Sequence, residues 1–448
     1  MNERLSFSNQ LVIGIMLFAL FFGAGNLIFP ASLGQNAGTA LFFAVLGFLI
    51  TGIGLPFLGT LAMGFSGSRS LQDLAGRVHP FYGIAFTVAL YLTIGPFFAL
   101  PRTGAVAYEI GIQPFVSESF AQTGLLLFTI VFFGITLWLS LNPTKIVDRV
   151  GKYLAPIIII GLAILILAAL FNPVGSFTGP TEAYQTNAFM TGFTEGYNTM
   201  DALASLVFGI IVIESIRRLG VTSTKGVLKV TAKSGGIAVL FLGLIYAGVA
   251  YLGATTTEAF GIFENGGPVL STAADYYFGA IGLAVLAVVI IAACLTTAIG
   301  LTTATAEYFH DLFPAISYKT FAIFFIVLTT IFANFGLSSI ITYSIPVLLL
   351  LYPLAITLIL LTFAAPLFGH QRWVFAAVTF VTFLISIVDG LKGFFGEAAP
   401  SWLASIVSVY DSILPFYGLG LGWLIPFLII VVIGIVTARM TSTPTTAN

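Results

Sequence analysis

Charge is scarce in this chain. Only 7% of its 448 residues are charged, against about 25% in an ordinary soluble domain. Its 16 basic and 17 acidic residues nearly cancel, so there is no basic surplus to hold a nucleic acid. There is one cysteine, Cys294, which excludes an intramolecular disulfide and a cysteine-built metal site. The three histidines, His79, His310 and His370, all fall in loops or at the ends of apolar runs. No G-x-x-x-x-G-K-[ST] phosphate loop occurs, so nothing points to ATP-driven transport by this chain. Long polar stretches are missing too. The longest polar loops, near 172–186, 255–275 and 392–412, are too short to fold around a core of their own.

Apolar length fills the space that charge leaves. Hydrophobic residues make up 58% of the chain, alongside 47 glycines. The mean hydropathy is +1.08, so the excess runs through the whole sequence, which rules out a soluble enzyme with a single anchor. A membrane-spanning helix needs about 20 apolar residues. Runs of that order lie near 9–33, 37–65, 81–108, 120–141, 151–171, 187–216, 229–254, 278–306, 318–335, 338–365, 373–391 and 413–438. They are continuous, not short and alternating, which favours helices over barrel strands. The first run follows a polar start and exceeds a signal-peptide apolar core, so it is expected to remain as a span. The expectation is an all-α polytopic membrane protein with twelve transmembrane helices in one domain.

Basic residues set the orientation. With the N-terminus inside, fourteen of the 16, Arg4 and Lys145 among them, fall on the inner side, and only Arg102 and Lys392 on the outer. Both termini are therefore expected on the cytoplasmic side of the inner cell membrane. At about 1.5 Å of rise per residue from Phe81, Arg102 is expected near the outer end of its span.

Two runs carry polar residues at mid-span. The first holds Phe22-Gly23-Ala24-Gly25-Asn26 and then Pro30. The sixth holds Glu195-Gly196-Tyr197-Asn198-Thr199-Met200-Asp201. Open backbone at membrane depth is tolerated only where protein or a hydrated cavity covers it. Paired interruptions at corresponding positions point to a transporter site between repeats. A broken helix frees N–H groups for a carboxylate at one end and carbonyls for a hard cation at the other. Plainer readings stand beside these. G-x-G also permits close helix packing, and Asp201 also suits a structural partner for Arg102, as do Glu195 and Glu109. The hydroxyls of Thr296 and Thr297, beside Ala293, either bond their own helix or offer neutral oxygens to a cation. Pro346 and Pro353 kink the tenth run, either statically or as part of a gate. Gly64-Phe65-Ser66-Gly67 matches the G-x-S-G of intramembrane serine proteases, which would require a base within reach of Ser66.

These stretches, with Gly95-Pro96-Phe97-Phe98, Pro101-Arg102-Thr103 and Gly196–Ala204, resemble the bacterial branched-chain amino acid:cation symporters of the branched-chain amino acid carrier II, or BrnQ, type. That family belongs to the amino acid–polyamine–cation transporters of LeuT-like fold. The resemblance covers essentially the whole chain. It implies a secondary transporter, not an enzyme, that takes up leucine, isoleucine and valine with sodium or protons. No cofactor, nucleic acid or protein partner is implied. It also implies a 5+5 inverted repeat, residues 1–171 and 187–365, with two further helices in 371–438. Gly23-Ala24-Gly25-Asn26 is similar to the G-x-G-N of sodium-coupled members, where unwound backbone binds the substrate carboxylate and the asparagine helps hold sodium. The same alignment puts the carbonyls of Ala19 and Phe22 at a second sodium site with Ala293, Thr296 and Thr297. Pro30 follows Asn26 by four residues where that pattern usually has five, so the outer half of the span is open to a different placement. Tyr197, Asn198 and Thr199 are expected at the substrate through their place in the break, and Phe97 and Phe98 in an apolar pocket. Asp201, Glu195 and Arg102 are expected in coupling or gating. A same-fold carrier of another neutral amino acid or small solute is the alternative.

Overall fold

The computed structural model describes residues 5–141 and 146–441, so Arg4 and Lys145 of the orientation argument lie outside the described residues. Regular structure there is helical. Helix α1 (Phe7–Phe21) opens at Ser6, whose hydroxyl accepts from the Asn9 N–H at 3.2 Å. It stops at Phe22, which turns to extended backbone. The chain re-enters helix as α2 (Ala24–Ala37), then α3 (Leu41–Leu49) and α4 (Leu55–Ser66), joined by single tight or wide turns. A short α5 (Leu71–Ala75) leads to α6 (Pro80–Leu92), which starts with proline where a missing N–H costs nothing. Gly95 leaves helical geometry ahead of α7 (Ala99–Gly111). Then come α8 (Ala121–Ser140), α9 (Ile146–Phe171), α10 (Glu182–Gln185), α11 (Ala188–Glu195) and α12 (Asp201–Arg218). The chain ends in α13 (Thr224–Phe260), α14 (Gly267–Leu312), α15 (Tyr318–Ala333), α16 (Leu337–Ala364), α17 (Arg372–Phe395), α18 (Ser401–Ile413) and α19 (Leu424–Thr441).

The centre is built from α1, α2, α12 and α13. Helix α2 lies along α13, and α12 along α4. A Cβ on Gly34 would collide with the Ala250 carbonyl, so small residues set the close approach of α2 and α13. Helix α14 packs on α7, and α16 pairs with α17. The outer surface is strongly apolar, with Phe42 68% and Trp138 70% exposed. In water such a surface would drive association; against lipid tails it is stable.

The helices correct the expected span count. Among the described residues, seven are long and apolar enough to cross a membrane, or eight if the bent pair Ala188–Thr199 and Asp201–Arg218 counts as one, not twelve. Phe7–Phe21, Tyr318–Ala333 and Leu424–Met440 are apolar but only 10–17 residues long, and so is Pro156–Phe171, a part of the longer α9. The reason is visible at the first run. The break at Phe22 and Gly23 leaves α1 with 15 residues, and the remainder joins the second run in a 43-residue path, Ala24–Ser66. Apolar length in sequence does not reveal where a helix breaks or fuses. The chain remains a polytopic membrane protein.

Candidate functional site

The first break is held by one side chain. Gly23 is extended, and its N–H donates to the Asn26 side-chain oxygen at 2.9 Å. The Asn26 amide nitrogen donates to Asp201 Oδ2 and to the Tyr246 hydroxyl, and that hydroxyl donates to Asp201 Oδ2 at 3.1 Å. Asn26, Asp201 and Tyr246 are all buried. This network joins the start of α2, the start of α12 and the middle of α13. A buried polar network of this kind is stable only when its members are satisfied. Tyr246 gave no signal in the sequence, where it is one tyrosine in an ordinary apolar run.

The second break follows α11. Gly196–Thr199 forms a tight turn, and Met200 takes φ 64° before α12 begins at Asp201. A non-glycine residue in that left-handed region is strained and is held only by its surroundings. The two helices bend by 48°. Asn198 donates through its side chain to Glu195 Oε2 at 2.9 Å, so Glu195 serves the turn. Thr199 Oγ1 accepts from the Asp201 N–H at 3.3 Å.

Arg102 lies between the breaks, and this corrects its expected place at an outer end. It is 3% exposed, with Nη1 donating to the Asn198 carbonyl at 2.6 Å and Nη2 to the Thr199 carbonyl at 3.1 Å. Its guanidinium carbon sits 5.0 Å from the centre of the Phe29 ring. Pro80–Phe115 is a 36-residue path bent at Gly95, so a straight rise counted from Phe81 does not give the position of Arg102, which its hydrogen bonds place beside the second break. The sequence offered three carboxylates as partners, but the hydrogen bonds run to carbonyls freed by the second break.

Helix α14 brings its threonines to the first break. Thr297 Oγ1 lies 3.5 Å from the Phe22 carbonyl and 3.3 Å from the Ala293 carbonyl, and Thr296 Oγ1 is 2.8 Å from the latter. A Cβ on Gly23 would fall 2.8 Å from Thr297 Oγ1, so glycine permits this approach. The result is a cluster of neutral oxygens, the donor type that suits a hard cation. Ala19 sits half-buried in the last turn of α1, three residues before Phe22. Among the described residues, no group of three or more His, Cys, Asp or Glu could hold a metal ion.

A narrow cavity lies between these elements. Gly23, Ala24, Gly25, Asn26, Thr199, Asp201, Arg102 and Thr297 reach it. Ile94, Ala204, Phe208 and Leu301 supply apolar wall that sequence reasoning missed, because buried aliphatic and aromatic residues look alike in every span. Phe97 and Phe98 do not line it; the Phe97 ring packs 5.2 Å from Phe332 instead. Tyr197 is also turned away and stacks on Tyr352 at 4.3 Å.

Ser66 lines a separate cavity, together with Arg77, His370 and Arg372. Its hydroxyl donates to the Met63 carbonyl at 3.0 Å and accepts from the Ser68 N–H at 3.1 Å. The single hydroxyl proton is thus committed to backbone, not to a histidine base.

Comparison with known proteins agrees with this architecture. Among solved structures, a mutant of the Eremococcus coleocola manganese transporter matches with a TM-score of 0.60, covering 96% of each chain at 15% identity. A nucleobase-cation-symport-1 family transporter in a closed conformation matches at 0.59, covering 96% of this chain and 92% of that one, also at 15% identity. These likenesses establish the fold, which is LeuT-like. Among curated proteins, the branched-chain amino acid permease BrnQ of Bacillus subtilis is 47% identical over 426 residues, covering 95% of this chain and 96% of that protein. The branched-chain amino acid transport system 2 carrier protein of Pseudomonas aeruginosa is 42% identical and covers 97% of both. The Escherichia coli K12 permease BrnQ is 37% identical over the whole length of both. Residues 6–441 match the family model described as branched-chain amino acid transport protein. The molecule is accordingly a membrane transporter rather than an enzyme, and it belongs to the branched-chain amino acid transport protein family.

Proposed function

We propose that the chain imports leucine, isoleucine and valine by symport with a monovalent cation, sodium or a proton, through alternating access. The observation that carries this reading is the first break, which presents the N-terminal end of α2 to a cavity and the Phe22 carbonyl to Thr297. In the reading, the amino acid carboxylate docks on the free N–H groups at Ala24 and Gly25, where the helix dipole favours an anion. The branched side chain lies against Ile94, Ala204, Phe208 and Leu301. Such a wall separates molecules differing by one methylene by only about 1–3 kcal/mol, so all three branched substrates are accepted. The cation takes the carbonyls of Ala19, Phe22 and Ala293 with the hydroxyls of Thr296 and Thr297. Substrate and cation then grip opposite ends of one break, and each favours the conformation the other binds.

The same reading takes residues 1–171 and 187–365 as two repeats whose first members are the broken segments, with 371–438 outside them, and both termini in the cytoplasm. Its cargo is tested by thermal stabilisation of the purified protein with single amino acids. Leucine, isoleucine and valine should each raise the melting temperature, while alanine, lysine and glutamate should not. Stabilisation by a different neutral solute alone would replace the assigned cargo.

A further inference from the structure

In a broken-helix site the carbonyls of the second break are the natural acceptors for a substrate ammonium. Here they are occupied, because Arg102 donates to both Asn198 and Thr199. The ammonium must find another acceptor, and the cavity offers one in Asp201. An arginine and an aspartate thus border a single cavity. Arg102 is held by carbonyls and Asp201 by an amide and a phenol. Charges at this depth are costly and persist where they serve a function.

The arrangement also fixes which end of a zwitterion goes where. A Cβ on Gly25 would fall 2.7 Å from Arg102 Nη2, so the guanidinium abuts the first turn of α2. Positive charge and the N-terminal end of a helix converge there, and both attract a carboxylate. Arg102 Nε is buried and, among the described residues, has no hydrogen-bond partner, which leaves one donor unused. On the other side, Asn26 and Tyr246 both donate to Oδ2 of Asp201. Its second oxygen is the acceptor available to an ammonium.

We propose that Arg102 and Asp201 are the charged pair that reads the two ends of the substrate, with Arg102 on the carboxylate and Asp201 on the ammonium. The proposal rests on the amino acid symport reading. It makes the zwitterion itself the specificity element, with the apolar wall selecting only the side chain.

The test compares leucine with two analogues that each lack one charge, leucinamide without the carboxylate and 4-methylpentanoate without the ammonium. Affinities are measured by titrated thermal stabilisation of the purified full-length protein. Wild type should prefer leucine to either analogue by about 10- to 100-fold, the range of a lost charge-assisted hydrogen bond. Arg102→Gln should abolish the preference over leucinamide while keeping that over 4-methylpentanoate. Asp201→Asn should do the reverse. Arg102→Lys, which keeps the charge, should retain the preference over leucinamide, and it substitutes for Arg102→Gln if the latter does not fold. If each variant weakens leucine and both analogues by one common factor, the two residues only shape the breaks and the proposal is overturned. Failure of wild type to bind leucine at all would instead overturn the symport reading.

Discussion

At the residue scale, the proposed site is built from a few buried polar atoms whose partners come from distant parts of the chain. Tyr246 is the clearest case. Its hydroxyl accepts from Asn26 and donates to Asp201, in a position that is 1% exposed. Tyr246→Phe keeps the ring but leaves Asn26 and Asp201 each one bond short. A buried group left unsatisfied costs about 1–3 kcal/mol, so the melting temperature should fall measurably. Leucine affinity should fall as well, since Asp201 loses one of the groups that orient it. A variant with unchanged melting temperature and affinity would show that the network is not engaged. Thr297→Ala acts on the other side of the first break. It removes a hydroxyl from the cluster around the Phe22 carbonyl, and the cation concentration for half-maximal uptake should rise about 10-fold. An unchanged cation requirement would place the cation elsewhere.

At the element scale, the two breaks carry the argument. Both were legible in the sequence because glycine and asparagine, joined in the second break by Glu195 and Asp201, interrupt otherwise apolar stretches. Their partners were not. Ile94, Phe208 and Leu301 reach the cavity, yet similar residues face lipid elsewhere, so composition gives no contrast. Phe97 and Phe98 misled because they adjoin Gly95 and Pro96, where the backbone leaves helical geometry and the Phe97 ring turns onto Phe332. The span count failed because apolarity was read without helix ends. Helix α16, with Pro346 and Pro353 inside it, offers an element-scale prediction. Tyr352, next to Pro353, stacks on Tyr197 at the second break. If the backbone bond missing at Pro353 lets α16 move against that turn, Pro353→Ala should lower the maximal uptake rate severalfold and leave KM within about two-fold. A change confined to KM would contradict a gating role.

At the scale of the whole molecule, scarcity of charge sets both orientation and mechanism. Arg102 belongs to the site and drops out of the orientation count, which leaves Lys392 as the basic residue assigned to the outer side. Cys294 is fully buried, so background labelling should be low. Lys392→Cys in intact cells should react with a membrane-impermeant maleimide, and Lys225→Cys should react only after the cells are opened. The opposite pattern would invert the topology. In the proposed mechanism, with so few charges at depth, backbone dipoles, hydroxyls and the Arg102–Asp201 pair hold a zwitterion and a cation together. The central claim is that the two move as one. Its most direct measurement is uptake of labelled leucine into proteoliposomes under separate sodium, lithium and proton gradients. The account predicts accumulation above equilibrium with at least one gradient, lost when an ionophore collapses it. Equilibration of leucine at the same rate and to the same level under every gradient would contradict it.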